Sequence, residues 1–534
     1  MNAYGKITVL MEGRQLSIAG ADRSVLELLV DAGVHDIPAP CGGNGLCGNC
    51  KVRVLSGEAS SIHPDEERLL TSEQISQGFR LACRMQPVPA SDLTIRIVGS
   101  EARAQVRTTF SEGKHAADAY RNGNTLSYGC AVDIGTTTIV VYLVSLADHR
   151  ILGHRSAMNS QRSHGGDVIS RIQYCNEHPD GLVRLQRAIV AQLDGMIGAL
   201  ADEHGIDATH LQEIVAVGNP TMIHLLVGSD PGGIAAAPYV PAFTESQQRS
   251  AGELGFIHAS HAEVVLPGLV SAYVGSDITA GVFASQVLDH HKNILYIDIG
   301  TNGEMMLWDG KRLLACSSAA GPAFEGASIR QGLGAIPGAV DRLWIDTEGQ
   351  VRCSTIAGEP AIGICGSGII DTVARMMELG LIDETGAMDD ESSSYARYGC
   401  ESPDGLAFRI TDAVQFTGRD VREVQLAKAA IAAGADILLD EAGLTADDLD
   451  SVMIAGGFGS YIDIASAQRI GLLPPIPIER IVTVGNAAGK GALEVLMLAE
   501  GKRTVEHIRK MSEYIELSTS ASFQQRFVEH MMFE

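Results

Sequence analysis

Residues 130–138 read Cys-Ala-Val-Asp-Ile-Gly-Thr-Thr-Thr, and residues 294–304 read Ile-Leu-Tyr-Ile-Asp-Ile-Gly-Thr-Asn-Gly-Glu. In each stretch an apolar run enters Asp-Ile-Gly-Thr and is followed by a second apolar run, so each predicts strand, turn, strand. Asp133 and Asp298 stand 165 positions apart. The repetition predicts an internally duplicated α/β fold whose two turns face each other across a cleft. In such a turn the amides and hydroxyls of Gly135, Thr136, Thr137 and Thr138, and of Gly300, Thr301, Asn302 and Gly303, can grip phosphate oxygens, while Asp133 and Asp298 sit beside Mg2+ or orient water. One such loop is an ordinary turn; the pair carries the reading.

Working outward, strands are expected at Cys130–Ile134, Ile139–Leu146, Ile214–Val217, Ile294–Ile299, Glu304–Trp308 and Ser451–Ala455. Amphipathic helices are expected at Gly166–Glu177, Val183–Glu203, Gly368–Leu379, Asp420–Ala442 and Gly489–Ala499. Alternation of this kind indicates α/β layers. Polar stretches at Glu245–Glu253 and Asp383–Asp404 read as surface insertions. The tail from Tyr514 reads as a strand and then a helix with a packing role. No GxxxxGK[ST] occurs, and no GxGxxG follows a strand of the α/β region, which disfavours P-loop and Rossmann nucleotide sites. Gly218-Asn219-Pro220-Thr221-Met222, Gly321-Pro322-Ala323-Phe324-Glu325-Gly326 and Cys365-Gly366-Ser367-Gly368-Ile369-Ile370-Asp371 read equally well as cleft lining or as glycine turns between core elements. His164 and Asp167 read as the start of a helix.

The first hundred residues differ in character. Strands near Lys6–Leu10, Gln15–Ile18, Val52–Leu55 and Leu93–Val98 and a helix over Ser24–Ala32 surround Cys41-GGNGL-Cys47-GN-Cys50, with 32 residues between Cys50 and Cys83. Four thiolates can hold a [2Fe–2S] cluster, and glycines let a loop wrap the cluster and aim N–H groups at its sulfurs. The C-x5-C-x2-C spacing is one residue longer than the plant-type pattern. Structural zinc is the alternative, but it usually takes two short Cys pairs and rarely needs so many glycines. The other six cysteines, Cys130, Cys175, Cys316, Cys353, Cys365 and Cys400, lack metal-ligand spacing and read as ordinary thiols.

The layout expected is residues 1–97 as a [2Fe–2S] ferredoxin-like unit, 98–127 as a polar linker, 128–212 as the first part of an ATPase region, and 213–534 as its remainder. The chain of 534 residues carries a net charge of −25, which opposes binding to nucleic acid or to anionic membrane surfaces. No apolar run reaches the roughly 18 residues of a spanning helix. With no secretory pattern at the start, a cytoplasmic location is expected.

The two aspartate loops resemble the phosphate motifs of the superfamily that contains acetate and sugar kinases, heat-shock chaperones and actin. In the same order along the chain, Gly275–Gly281 and Gly485–Ala492 resemble its two connecting helices, and Ala455-Gly456-Gly457-Phe458-Gly459-Ser460 its adenosine motif. The cysteine loop resembles that of vertebrate-type and related bacterial ferredoxins. A ferredoxin unit, linker and two-lobed ATPase together resemble the reductive activators of corrinoid proteins.

The resemblance covers nearly the whole chain and implies an α/β and α+β multidomain architecture: an N-terminal β-grasp ferredoxin-like domain followed by a duplicated actin-like, ribonuclease H-like ATPase. It implies one [2Fe–2S] cluster on Cys41, Cys47, Cys50 and Cys83, and ATP with Mg2+ at Asp133 and Asp298, the nucleoside lying against Gly456, Gly457 and Gly459. The implied activity is ATP-dependent transfer of one electron to an inactive Co(II) corrinoid protein of a methyltransferase system, restoring Co(I). A reducing electron donor and a homodimer are implied by the resemblance as well. A ferredoxin-fused small-molecule kinase, or an ATP-dependent activator of another redox enzyme, is the alternative.

Overall fold

The computed structural model describes residues 4–11, 14–32, 34, 37, 43, 45, 48, 50–70, 72–97, 127–289, 291–457 and 461–533. Cys41, Cys47, Phe458, Gly459, Ser460 and all of the expected linker except Ser127 lie outside these residues.

The N-terminal unit comprises β1 (Lys6–Met11), β2 (Arg14–Ala19), α1 (Val25–Asp31), β3 (Lys51–Gly57), α2 (Pro64–Leu69), β4 (Phe79–Leu81) and β5 (Leu93–Ile97). Its sheet runs β2-β1-β5-β3-β4, with β1 and β5 parallel and the other neighbours antiparallel. Strand alternation turns Ile7, Val9, Val52, Leu93 and Ile95 to one side, where they bury Val25, Leu26 and Leu29 of α1. Ser24 starts α1 with a capping box: its hydroxyl accepts from Glu27 N–H at 3.3 Å, and the Glu27 carboxylate accepts from Ser24 N–H at 2.9 Å. A sheet with one helix across its face is the expected β-grasp form.

The next sheet contains β6 (Tyr128–Ile134), β7 (Thr138–Ser145), β8 (Arg150–Met158), β9 (Leu211–Gly218), β10 (Gln247–Ser250) and β11 (Glu263–Leu266). Its helices are α3 (Val168–Glu177), α4 (Gly181–Glu203), α5 (Pro220–Val227) and α6 (Ser276–Ala284). The strand order is β10-β11-β9-β6-β7-β8. β6, β7 and β8 form an antiparallel meander, β9 lies parallel to β6, and β11 parallel to β9.

The third sheet repeats this wiring. β12 (Ile294–Ile299), β13 (Gly303–Trp308) and β14 (Leu313–Ser318) form the meander, and after β15 to β20 come β21 (Ser451–Ala455), parallel to β12, and β22 (Ile481–Gly485), parallel to β21. Five strands thus have the same order and directions in both lobes, the duplication that the two Asp-Ile-Gly-Thr stretches predict. β15 (Ala339–Ile345), β16 (Val351–Thr355) and β17 (Gly363–Ile364) form one small sheet, and β18 (Gly399–Ser402), β19 (Gly405–Arg409) and β20 (Gln415–Thr417) another. The remaining helices used below are α7 (Gly366–Glu378), α8 (Gly418–Ala442), α9 (Ala487–Met497), α10 (Gly501–Met511) and α11 (Ala521–Glu529).

Helices cover both faces of the first lobe's sheet. Val132 and Ile134 pack toward Leu185, Ile189 and Leu193 of α4, while Ala131 and Val140 pack toward Ala492 and Val495 of α9. Burial on both faces explains why β6 and β12 are apolar runs rather than alternating patterns.

Three sequence expectations change. Gln247–Ser250 is the edge strand β10, paired with β11, not an insertion; three of its four residues are exposed, so no apolar pattern marks it. Within 383–404, Ser393–Tyr398 is helical and Gly399–Ser402 is β18. A division at 212/213 passes through β9, and the sheet of the first lobe continues to Leu266. The tail follows its pattern: Ser512–Tyr514 pairs parallel with β14 as β23, α11 follows, and Phe533 is buried.

Candidate functional site

The first aspartate loop is the tight turn between β6 and β7. Gly135 N–H donates to the Thr138 carbonyl at 3.0 Å, and a Cβ at 135 would lie 2.6 Å from that oxygen, so only glycine closes the turn. Asn159 braces the turn, its Nδ2 donating to Gly135 O at 2.9 Å and its backbone N–H to Thr137 O at 2.8 Å. Asn219 caps α5 and donates through Nδ2 to Thr136 Oγ1 at 2.9 Å. Beneath lies Arg171, fully buried, whose guanidinium donates to Thr136 O at 2.5 Å and also to Gly165 O, Gln161 Oε1 and Met222 Sδ. Burial and the neighbouring Arg162 pull its pKa down to about 9, against the pull of Asp167 and Glu325.

The second loop matches the first. Gly300 N–H donates to Asn302 O at 3.0 Å, and Asn302 Nδ2 to Glu304 Oε1 at 3.1 Å. The two loops meet at one carboxylate. Thr137 Oγ1 donates to Glu325 Oε2 at 2.7 Å, and Thr301 Oγ1 lies 3.0 Å from both Glu325 oxygens.

Acidic groups converge on the same place. Burial, opposed by a hydrogen bond from Asn486, pushes Asp133 up to about 6. Asp298 rises to about 7 through burial and the nearby Asp133 and Glu325, and Asp277, at the start of α6, to about 8 through burial, Asp298 and Asp133. Glu304 is raised well above its usual range by burial, Asp277 and Asp298. Burial and mutual repulsion thus hold these carboxyls toward their neutral forms.

The glycine segment after β21 packs behind the second loop. Gly456 has φ +106°, and a Cβ there would lie 2.4 Å from Ile299 O. A Cβ on Gly457 would meet nothing within 4 Å, which leaves room for a ligand to approach. The two small-residue helices cross between the lobes, where a Cβ at Gly491 would come within 2.1 Å of Ala280 O; a Cβ at Gly281 of α6 would come within 2.1 Å of Tyr296 Oη of β12. Asn486 caps α9, accepting from Gly489 N–H at 2.8 Å, and its side chain lies near Asp133 and Tyr142, favouring their ionised forms.

In the N-terminal unit the Sγ atoms of Cys50 and Cys83 lie 3.3 Å apart, both buried. That is too long for a disulfide and suits two ligands of one metal centre. Gly43, Gly45 and Gly48 all have positive φ, so the loop turns where side-chain-bearing residues would be strained. Arg68 Nη2 donates to Gly45 O at 3.1 Å, and Arg84, held by Asp65 at 2.8 Å, packs against Gly45. Two adjacent thiols, Cys50 at the end of a glycine-turned loop and Cys83 just after β4, fit the donor chemistry of an iron–sulfur cluster. Elsewhere burial raises Cys130 to about 12 and Cys175 to about 11, and it raises Cys316, Cys353 and Cys365, which is the behaviour of inert thiols.

Of the residues singled out from sequence, the structure brings both Asp133 and Asp298 to one cleft, with the Thr137 and Thr301 hydroxyls meeting at Glu325. Glu325, Asp277 and Asn486 belong to segments that the sequence marks, without their roles being evident. Arg171 and Asn159 carry no sequence signal at all. Asp167 is the N-cap of α3, with Ser170 completing a capping box.

The 2Fe-2S iron-sulfur cluster binding domain model matches residues 7–88, the RACo middle region 128–290, and the C-terminal domain of RACo, the ASKHA domain, 292–534. The corrinoid activation enzyme RamQ of Eubacterium limosum is 34% identical over 76% of this chain and 70% of its own length. The [Co(II) methylated amine-specific corrinoid protein] reductase of Methanosarcina barkeri is 25% identical over 74% of this chain and 75% of its own. The solved reductive activator for corrinoid, iron-sulfur protein is 31% identical, covering 99% of this chain and 98% of its own with a TM-score of 0.72. With a ferredoxin-type cluster domain and a duplicated ASKHA domain that carries the ATP site, matched in order along the sequence and as one structure, this chain belongs to the family of reductive activators of corrinoid proteins.

Proposed function

We propose that this chain is an ATP-dependent activase that delivers one electron to a corrinoid protein in its Co(II) form, restoring the Co(I) form on which a corrinoid-dependent methyltransferase system runs. The observation that carries the reading is the union in one chain of a glycine-turned thiol loop with a duplicated cleft where two aspartate loops meet. The names of the similar proteins, a corrinoid activation enzyme and a Co(II) corrinoid protein reductase, support it.

Cys41, Cys47, Cys50 and Cys83 are the ligands of a [2Fe–2S] cluster, which when bound supplies a one-electron couple, near about −400 mV for plant-type centres. Each 100 mV by which the acceptor lies lower costs roughly 2.3 kcal/mol per electron, so nucleotide provides the bias by binding the productive arrangement more tightly than the other. Asp133 and Asp298 hold Mg2+ with ATP. Gly135, Thr136, Thr137, Thr138, Gly300, Thr301, Asn302 and Gly303 face its phosphates, and Gly456, Gly457 and Gly459 its nucleoside. The working division is a cluster unit at 1–97, a linker at 98–127 and the ATPase beyond it.

The protein works in the cytoplasm as a homodimer with a separate reducing donor, and binds neither nucleic acid nor membrane. The charge of −25 and the lack, among the described residues, of a helix long and apolar enough to cross a membrane support this.

The test is anaerobic. Cluster-loaded, dithionite-reduced protein is mixed with a Co(II) corrinoid protein from the same cell, and the Co(I) absorbance is followed with and without Mg-ATP. ATP-dependent Co(I) is expected. Failure with every candidate corrinoid protein, together with ATP consumption on a small metabolite, would favour a kinase instead.

A further inference from the structure

The carboxylate of Glu325 sits between the two phosphate loops and takes hydroxyl protons from both, Thr137 at 2.7 Å in one lobe and Thr301 at 3.0 Å in the other. A hydroxyl has one proton and donates to one acceptor at a time. Thr137 and Thr301 therefore cannot serve Glu325 and a phosphate oxygen together. The same seat lies in the field of Arg171, which is fully buried and whose four hydrogen-bond acceptors among the described residues include no carboxylate. Arg171 draws the Glu325 carboxylate toward this seat electrostatically, while the Asp298 carboxylate repels it. Glu325 itself is set in a tight turn, its N–H donating to Pro322 O at 3.1 Å, beside the buried Phe324. The turn keeps the carboxylate root fixed while the side chain swings.

We propose that Glu325 makes release of the two loops depend on the terminal phosphate: its carboxylate and that phosphate compete for the Thr137 and Thr301 hydroxyls, so that only a nucleoside triphosphate displaces Glu325 and frees the two loops from their shared tie. The inference rests on the reading of these loops as the phosphate site. A diphosphate stops short of the contested hydroxyls and leaves the tie in place. The terminal phosphate must therefore pay for displacing a carboxylate, and the free enzyme discriminates less well between ATP and ADP than the donors alone would allow.

The experiment is calorimetric titration of the full chain with ADP and with a non-hydrolysable ATP analogue, both with Mg2+, for wild type, E325Q and E325D. Glutamine keeps the shape and loses the charge, so E325Q is expected to raise the ratio of ADP to ATP-analogue dissociation constants at least fivefold. E325D keeps the charge but is one methylene too short to span both hydroxyls. Its ratio is expected to rise at least twofold, which serves if E325Q does not accumulate as folded protein. In a Thr301→Val background the gain from E325Q is expected to shrink, because one contested donor is gone. An unchanged ratio, or one that falls because the ATP analogue binds more weakly, overturns the proposal. Failure of wild type to bind either nucleotide overturns the parent reading of the loops instead.

Discussion

Gly491 on α9 lies against Ala280 on α6 so closely that a Cβ at 491 would sit 2.1 Å from the Ala280 carbonyl oxygen. The atom in the way is backbone, and no rotamer relieves the clash. The two helices can cross at this distance only because Gly491 lacks a side chain. Gly491→Val is expected to cost about 1–3 kcal/mol or more through overpacking. The thermal midpoint measured with and without nucleotide checks this, and a midpoint within one degree of wild type would show that the crossing has slack.

The aspartates belong to the sheets of the two lobes, and Cys50 and Cys83 to the N-terminal unit, so their losses are separable. Asp298→Asn is expected to lower ATP turnover by on the order of 10²–10³-fold, as for other preorganised charged groups at a reacting centre, while the electron paramagnetic resonance signal of the reduced cluster stays at wild-type intensity. Cys83→Ser is expected to do the reverse, abolishing the signal and sparing nucleotide binding. A variant that lost both would contradict the separation.

The parts legible in sequence were those where one residue type has one use. Asp133 and Asp298 recur with their glycines and hydroxyls because the duplicated turn needs them, and β6 and β12 are visible as apolar runs because both faces are buried. β8 and β10 escaped because their side chains are largely exposed or polar. Glu325 escaped for a different reason: its role depends on Thr137, 188 positions earlier, and on Thr301, 24 positions earlier, and no local pattern encodes such a meeting. Arg171 holds the underside of the first loop from a helix whose periodicity reports only that it is amphipathic.

A buried ion pair sets the acid limit of the cluster unit. Glu66, fully buried, accepts from Arg80 Nε and Nη2 at 2.8 and 2.9 Å, from Leu81 N–H at 2.8 Å and from His63 N–H at 2.9 Å. Burial pushes its carboxyl up, but the Arg80 guanidinium and the two N–H groups hold it below its usual range. A lowered folded pKa gives stability above the ordinary glutamate value of about 4.3, lost as pH falls through the folded value. Glu66→Gln leaves Arg80 buried without its countercharge, at an expected cost of about 3–5 kcal/mol. Visible absorbance of the cluster during a thermal ramp at pH 7 and at pH 4 is the check. Wild type is expected to be the more stable at pH 7, with the gap between wild type and variant narrowing at pH 4.

The nucleotide cleft has the opposite sign. Asp277 is pushed up to about 8 by burial and by the Asp298 and Asp133 charges, and Asp298 to about 7 by burial, Asp133 and Glu325. For an acid whose folded pKa is raised, the unfolded chain releases its proton first, so stability is full below about pH 4 and falls as pH rises through 7 and 8. In chelator, the thermal midpoint of the ATPase region is therefore expected to drop between pH 6 and pH 8.5. Asp277→Asn removes an ionisation that the site resists, and is expected to raise the midpoint by several degrees at pH 8.5 and by less than half as much at pH 5.5. Mg2+ is expected to flatten the wild-type slope by neutralising the same carboxylates. A wild-type midpoint that rises with pH over this range in chelator would refute the assignment of a strained, mutually repelling acid cluster to the cleft.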